Sequence, residues 1–168
     1  EKSHGLIALS GGREGDVGKA LLAGNLEEAK RLAGRWQEIF PDAFYIELHR
    51  TGRSSEEDYN VLAVNLAIEL GCPVVATNDV RFLAQDEFEA HEVRVCIHDG
   101  RTLDDPRRER RYSDQQYLKT TQEMVELFAD IPEALENSVD IAKRCNVSLD
   151  LGNYYLPEYP VPEGMTTE

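Results

Sequence analysis

Short apolar runs alternate along the chain with longer segments whose apolar residues recur at helical spacing. The runs at residues 5–10, 43–49 and 73–77 are bounded by turn residues and are rich in β-branched, aromatic or alternating apolar positions. These features are typical of β-strands. The run that follows Pro73 is apolar on both faces, which indicates a buried strand of a parallel sheet.

The segments between and after these strands have the pattern of amphipathic helices. Asp16 and Asn25 are placed to cap the first two, and Ser54 or Ser55 to cap the third, because their side-chain oxygens can accept hydrogen bonds from the first helical N–H groups. The predicted helices cover residues 17–23, 26–40, 55–71, 85–97, 122–129 and 132–145, and the chain is expected to be extended after residue 146.

Strands separated by amphipathic helices predict an α/β fold with right-handed crossovers and a parallel sheet or barrel. A parallel sheet of only three strands would leave an open edge and a half-covered face. We therefore expect the chain to form part of a larger α/β domain whose first strands are not in this sequence.

Composition narrows the class of protein. The 168 residues are 41% hydrophobic and 30% charged, which is typical of one globular domain, and the formal net charge of −14 disfavours nucleic-acid binding by the chain as a whole. No apolar stretch has the length of a membrane span. Three widely spaced cysteines, Cys72, Cys96 and Cys145, favour a reducing compartment, so a cytoplasmic protein without a membrane partner is expected.

Polar side chains follow two of the predicted strands, at the edge where α/β folds bind ligands. Asn78, Asp79 and Arg81 come after the third strand, and Glu47 and His49 share one side of the second. Glu47, His49 and Asp79 are therefore expected to meet at a common rim, with side chains suited to a hydrolytic metal site. Three ligands are too few for two metal ions, and an incomplete site is favoured over a working one.

Two other motifs have competing interpretations. The glycine-rich segment at residues 10–19 is similar to a phosphate-binding loop, but Arg13 stands where a Walker loop has its first glycine, so a structural turn is preferred. Glu87, His91 and His98 could share one helix face and hold zinc. Because apolar residues lie on the same stripe as His91, a packed and hydrogen-bonded core histidine is the preferred interpretation.

The segment at residues 99–111 contains the dense basic cluster of this acidic chain. The cluster could contact phosphate, or its charges could neutralise neighbouring acidic residues in a solvated loop. The solvated loop is the preferred interpretation, and the phosphate contact is kept as the alternative. The candidate phosphate contacts are Arg107, Arg108, Arg110 and Arg111.

Several motifs in the same order resemble the alpha subunit family of bacterial DNA polymerase III. They lie at residues 9–17, 45–52, 76–82, 90–100, 127–134 and 141–146. The resemblance implies that residues 1–150 are the later part of the polymerase and histidinol phosphatase (PHP) domain, a seven-stranded TIM-like βα barrel. It also implies that residues 151–168 connect toward the polymerase palm, and that the strands with the family's first metal motif, His-x-His, precede this sequence.

Family members with an intact metal site carry two histidines that this chain replaces. Arg81 stands in the Asp-x-His motif that begins at Asp79, and Thr51 precedes Gly52 where the family has another histidine. Arginine cannot ligate a metal. The resemblance therefore implies a degenerate site, at which Asp79 is the remaining metal-ligand position, and we expect Arg81 to form an ion pair with it.

For function, the resemblance implies a segment of a DNA-directed DNA polymerase, a nucleotidyltransferase of DNA replication. The segment would not be catalytic alone; it would stabilise the rest of the alpha chain and dock the proofreading exonuclease subunit, with DNA bound through the parent protein. No cofactor is expected in the segment, Mg²⁺ is expected at the parent's polymerase site, and zinc or manganese is not expected at the PHP site. The alternative is a residual metal-dependent phosphoesterase or 3′–5′ exonuclease that uses Glu47, His49 and Asp79.

Overall fold

The computed structural model describes residues 3–154, so most of the expected connection at residues 151–168 lies outside the described residues. The described chain contains three strands and six α-helices, in the predicted order. They are β1 (Ala8–Leu9), α1 (Asp16–Leu22), α2 (Leu26–Ile39), β2 (Phe44–His49), α3 (Glu56–Leu70), β3 (Val74–Thr77), α4 (Phe88–Asp99), α5 (Thr121–Leu127) and α6 (Pro132–Arg144).

The three strands form a parallel sheet in the order β1-β2-β3, as the alternation of strands and helices predicts. Ala8 pairs with Phe44 across the first ladder, and Ile46 pairs with Val74 across the second. Because β2 lies in the middle and is covered on both faces, Ile46 and Leu48 are fully buried. The mixed α/β class with a parallel sheet is therefore confirmed.

Polar side chains of α3 and α6 donate hydrogen bonds to the backbone of the sheet. The hydroxyl of Tyr59 in α3 donates a 2.8 Å hydrogen bond to the carbonyl oxygen of Glu47, and the amide of Asn137 in α6 donates one of 2.8 Å to that of Val74. Burial raises the pKa of Tyr59 to about 12, so the phenol remains a neutral donor. These contacts hold α3 near the carboxyl end of β2 and α6 at the amino end of β3.

The helix caps match the predictions only in part. Asn25 caps α2 as predicted, since its side-chain oxygen accepts from the Glu28 N–H. The prediction for Asp16 is wrong: Gly15 occupies the cap position, and the Asp16 carboxylate accepts from the indole N–H of Trp36 at 3.0 Å. Ser55 does precede α3, but with φ of 59° and no capping hydrogen bond.

The glycine-rich segment after β1 is a tight structural turn. Gly11 and Gly12 have positive φ values of 77° and 56°, which favour glycine. Gly15 and Gly18 are needed for a different reason. A Cβ atom on Gly15 would lie 1.8 Å from the Ser10 carbonyl oxygen, and one on Gly18 would lie 2.2 Å from the Gly12 carbonyl oxygen. The glycines thus allow backbone segments to approach one another closely, in agreement with the preferred interpretation.

Between α4 and α5 the chain forms a long irregular loop that is tied to neighbouring elements. Phe82 and Tyr117 form an isolated parallel bridge, and Arg108 pairs with Glu92 of α4 in a buried contact. The loop therefore covers the end of β3 in a defined conformation. In the part of the chain that the structure describes, no helix is long and apolar enough to cross a membrane.

Candidate functional site

Asp79 follows β3 and is surrounded by side chains that donate hydrogen bonds. One carboxylate oxygen lies 2.7 Å from Nη2 of Arg81, so the ion pair expected between them is present. The other oxygen lies 3.1 Å from Nη1 of Arg53 and accepts a 2.9 Å hydrogen bond from Nε2 of Gln116. Both oxygens are thus occupied by cationic or amide donors.

Arg53 connects Asp79 with the turn that follows β2. Its Nε donates a 3.0 Å hydrogen bond to the hydroxyl oxygen of Thr51, and its Nη2 donates one of 3.2 Å to Glu56. Glu56 in turn accepts from the hydroxyl and the backbone N–H of Thr51. We call these six residues the Asp79 network: Thr51, Arg53, Glu56, Asp79, Arg81 and Gln116.

The turn geometry explains why the network forms. Gly52 has φ of 73°, a value that favours glycine, and it reverses the chain so that Arg53 points back toward the strand ends. Glu56 is the first residue of α3, where a carboxylate is favoured by the helix dipole. The side chains of Arg53 and Glu56 are only 8% and 5% exposed, so their interaction is poorly screened by water.

The network includes both positions at which histidine ligands are expected in the family. Thr51 and Arg81 lie at its two ends, joined through Arg53 and Asp79. Two guanidinium groups contact the carboxylate that would serve as a metal ligand, and their fixed charges oppose a cation there. The residues present around Asp79 therefore do not fit a divalent metal ion.

Glu47 and His49 form a second polar pair nearby in the sheet. His49 Nε2 lies 3.2 Å from the Glu47 carboxylate, which also accepts a 2.6 Å hydrogen bond from Thr77. Burial alone would raise the pKa of Glu47, but hydrogen bonds from His49, Thr77 and the Gly11 backbone hold the pKa below its ordinary value. The buried Nδ1 of His49 has no hydrogen-bond partner among the described residues.

The three side chains expected to meet at a common rim therefore do not all contact one another. The structure brings Glu47 and His49 into contact, as their shared strand face predicts, whereas Asp79 is bound by the separate partners described above. Within residues 3–154, no group of three histidine, cysteine or acidic side chains is arranged to hold a metal ion.

The three residues considered as zinc ligands in and before α4, Glu87, His91 and His98, have different environments and partners. His91 packs against the rings of Phe82 and Tyr112 at centroid distances of 5.5 and 4.7 Å, so the predicted packing is confirmed. Its buried Nε2 has no hydrogen-bond partner in the described chain, contrary to the expected hydrogen bonding. Glu87 accepts hydrogen bonds from backbone N–H groups before the helix, and His98 is exposed near its end.

The arginines of the basic loop have unequal environments. Arg107 pairs with Asp105 at 2.9 Å and Arg111 with Asp99 at 2.6 Å, and Arg108 forms the buried pair with Glu92. Arg110 is exposed and has no ion pair with another described residue. Neutralisation of acidic neighbours thus accounts for three of the four, while a phosphate contact remains a prediction for the cluster.

The sequence did not identify Arg53, Glu56, Gln116 or Ser113 as parts of the site. Arg53 and Glu56 could have been suspected, since opposite charges three residues apart at a helix start often interact. Gln116 and Ser113 carry no such local signal. Ser113 donates to the Thr51 carbonyl oxygen, and Gln116 reaches Asp79 across 37 residues of sequence, so only the folded loop reveals them.

Comparison with known proteins supports the resemblance seen in the motifs. A family model described as the PHP domain matches residues 1–51. The chain is 56% identical over 168 residues to the DNA polymerase III subunit alpha of Pseudomonas fluorescens, and 58% identical over 168 residues to that of Escherichia coli K12. Each match covers the whole chain and 14% of the relative, so the chain spans about 14% of the length of these relatives.

Proposed function

We propose that this chain, which belongs to the DNA polymerase III alpha subunit family, is a non-catalytic part of the PHP domain of a full-length alpha subunit, called the parent below. Its role is to stabilise the rest of the alpha chain and to dock the proofreading exonuclease subunit. Residues 1–150 then belong to a seven-stranded barrel completed by preceding strands, and residues 151–168 lead toward the palm. The parent is a cytoplasmic DNA-directed DNA polymerase of replication, with Mg²⁺ at its polymerase site.

The Asp79 network carries this proposal. At a catalytic metal site the ligand oxygens must be free to coordinate the ion, whereas both oxygens of Asp79 contact arginine or glutamine donors. A metal would have to displace these contacts and then remain beside two guanidinium charges. The same contacts join the ends of β2 and β3, which is the property expected of a structural element.

The PHP scaffold role is tested with the full-length alpha subunit that contains this sequence. Asp79→Asn weakens the ion pairs, so the variant should unfold at a lower temperature and bind the exonuclease subunit less tightly. Arg31→Gln, which breaks an exposed pair on α2, is the matched control and should change neither property. Loss of a metal-dependent nuclease activity in Asp79→Asn, with unchanged stability and docking, would contradict the proposal.

A residual phosphoesterase is the second candidate, favoured by the Glu47–His49 pair. The ionised carboxylate and the unpartnered Nδ1 of His49 are groups that metal-dependent hydrolysis can use. Preceding strands would have to supply the remaining ligands. Glu47→Gln should abolish any phosphoesterase activity of the purified parent if this candidate holds, and unchanged turnover would exclude the pair from the reaction.

A contact between the basic loop and DNA phosphate is retained as a lesser proposal. Arg110 is the member whose side chain is exposed and unpaired within the described chain, so it is the best placed to make this contact. Arg110→Gln should then reduce the salt dependence of DNA binding by the parent. An unchanged slope would assign the cluster to the solvated loop alone.

A further inference from the structure

A basic pocket lies between the segment that follows β3, helix α4 and the loop after α4, and Asp79 is not among the residues that line it. Its volume is about 450 Å³, and none of the residues that line it is acidic. This is unusual surface for a chain with a net charge of −14. The side chains that give the pocket its character are Arg81, Arg94, Arg111, His91, His98 and Tyr112.

Two of the three arginines in the basic pocket form ion pairs that occupy only some of their N–H donors. Arg81 contacts Asp79 through Nη2, and Arg111 contacts Asp99 through Nη2, with Glu109 at 3.9 Å from its Nε. Their side chains are 42% and 46% exposed. Since a guanidinium group has five N–H donors, each arginine retains donors that can face a ligand.

Arg94 of α4 supplies the uncompensated charge. It is exposed and makes no ion pair or side-chain hydrogen bond with any residue in the described range. A second hollow of about 380 Å³, which Glu87 also lines, shares Arg81 and Arg94 with the basic pocket. Arg81 and Arg94 therefore line both hollows.

The rings of Tyr112 and His91 line the basic pocket next to Arg81. Tyr112 lies beside the Arg81 guanidinium at 5.4 Å and meets the edge of the His91 ring at 4.7 Å. Burial lowers the pKa of His91 against the opposing charge of Glu92, and the charges of Arg94 and Arg81 act in the same direction as burial. The pocket thus combines a positive potential with aromatic walls.

We propose that this basic pocket binds a phosphate group, either free or as the phosphomonoester of a nucleotide. A tetrahedral phosphate dianion has enough acceptor oxygens to accept from several guanidinium groups at once. The volume leaves room for a group attached to the phosphate, which the aromatic walls can contact. The acidic remainder of the chain disfavours an extended acidic peptide or a long DNA track.

The test is calorimetric titration of the full-length alpha subunit with inorganic phosphate, adenosine 5′-monophosphate and adenosine. Arg94→Gln removes the unpaired charge without breaking an ion pair described above, and should weaken phosphate binding about tenfold. Arg35→Gln is the matched control, because Arg35 is also exposed and unpaired within the described residues but lies on α2. It should leave the affinity unchanged.

The relative affinities identify the source of the phosphate. Equal affinity for inorganic phosphate and the nucleotide, both reduced by Arg94→Gln, assigns the pocket to free phosphate; tighter nucleotide binding with the same sensitivity assigns it to a phosphomonoester. Absence of phosphate binding, or binding that Arg94→Gln leaves unchanged, would overturn the proposal. Binding of single-stranded DNA that depends on Arg94, without binding of either small phosphate, would also overturn it.

Discussion

Arg53 is the residue on which the Asp79 network depends most strongly, and Arg53→Met tests this dependence. The substitution keeps much of the side-chain volume but removes three contacts, with Thr51, Glu56 and Asp79. The side chains of Glu56 and Asp79 are only 5% and 19% exposed, so their charges would be left largely buried. Removing one partner of a buried ion pair costs about 3–5 kcal/mol.

Hydrogen exchange measured by mass spectrometry on the full-length parent gives a local measurement of this loss. If local opening governs exchange, a loss of about 3 kcal/mol raises the exchange rate of protected amides in β2 and the first turns of α3 by roughly 100-fold. Adding Glu56→Gln to the variant should recover part of the protection, because it removes one of the unpaired charges.

Arg31→Met is the control for removing an arginine charge. Arg31 forms an exposed pair with Glu28 on α2, so exchange in β2 and α3 should stay within about twofold of the unmodified protein. Exchange in Arg53→Met that also stays within twofold would refute the structural role of the network. It would mean that Asp79 and Glu56 do not need Arg53 to remain stable in the folded protein.

Three further tests examine other parts of the structure. Gly15→Ala should destabilise the parent's PHP region by about 3 kcal/mol or more, because the new Cβ would overlap a carbonyl oxygen. Gly34→Ala has open space around the new Cβ and should increase the stability of the folded region by about 0.5–1 kcal/mol. Thermal unfolding measures both changes. Arg108→Met breaks a pair in which both side chains are buried, so it should lower the unfolding temperature more than Arg107→Met, whose own side chain is 77% exposed. Equal decreases would contradict this difference. Because the folded-state pKa of His91 is lowered, the unfolded chain binds its proton first as the pH falls below about 6.5, and stability decreases in that window. His91→Gln should flatten the stability profile from about pH 7 to about pH 5, and an unchanged slope would contradict the assignment.

The order and type of the main elements could be predicted from the sequence because local signals agree with the fold. The strand pattern at residues 43–49 gave β2 nearly to the residue, since alternation and turn residues bounded it on both sides. β1 is shorter than predicted, because pairing with β2 includes only Ala8 and Leu9. Apolar character alone does not determine how far a strand pairs.

The site was predictable only where contacts follow from neighbouring sequence. The pairing of Arg81 with Asp79, two residues apart, and of His49 with Glu47, on one strand face, could be expected from the chain alone. The contribution of Arg53 depends on the turn at Gly52, and that of Gln116 on the path of the long loop. These contacts are set by tertiary structure, for which the sequence has no periodic signal.

Metal analysis of the purified full-length alpha subunit, before and after Asp79→Asn, tests most directly whether the Asp79 network has replaced a metal site. We predict substoichiometric zinc and manganese in both proteins, together with a lower unfolding temperature for the variant, because Asp79 serves the arginines that contact it. Stoichiometric zinc or manganese that is lost on Asp79→Asn would contradict this prediction and would identify Asp79 as a metal ligand.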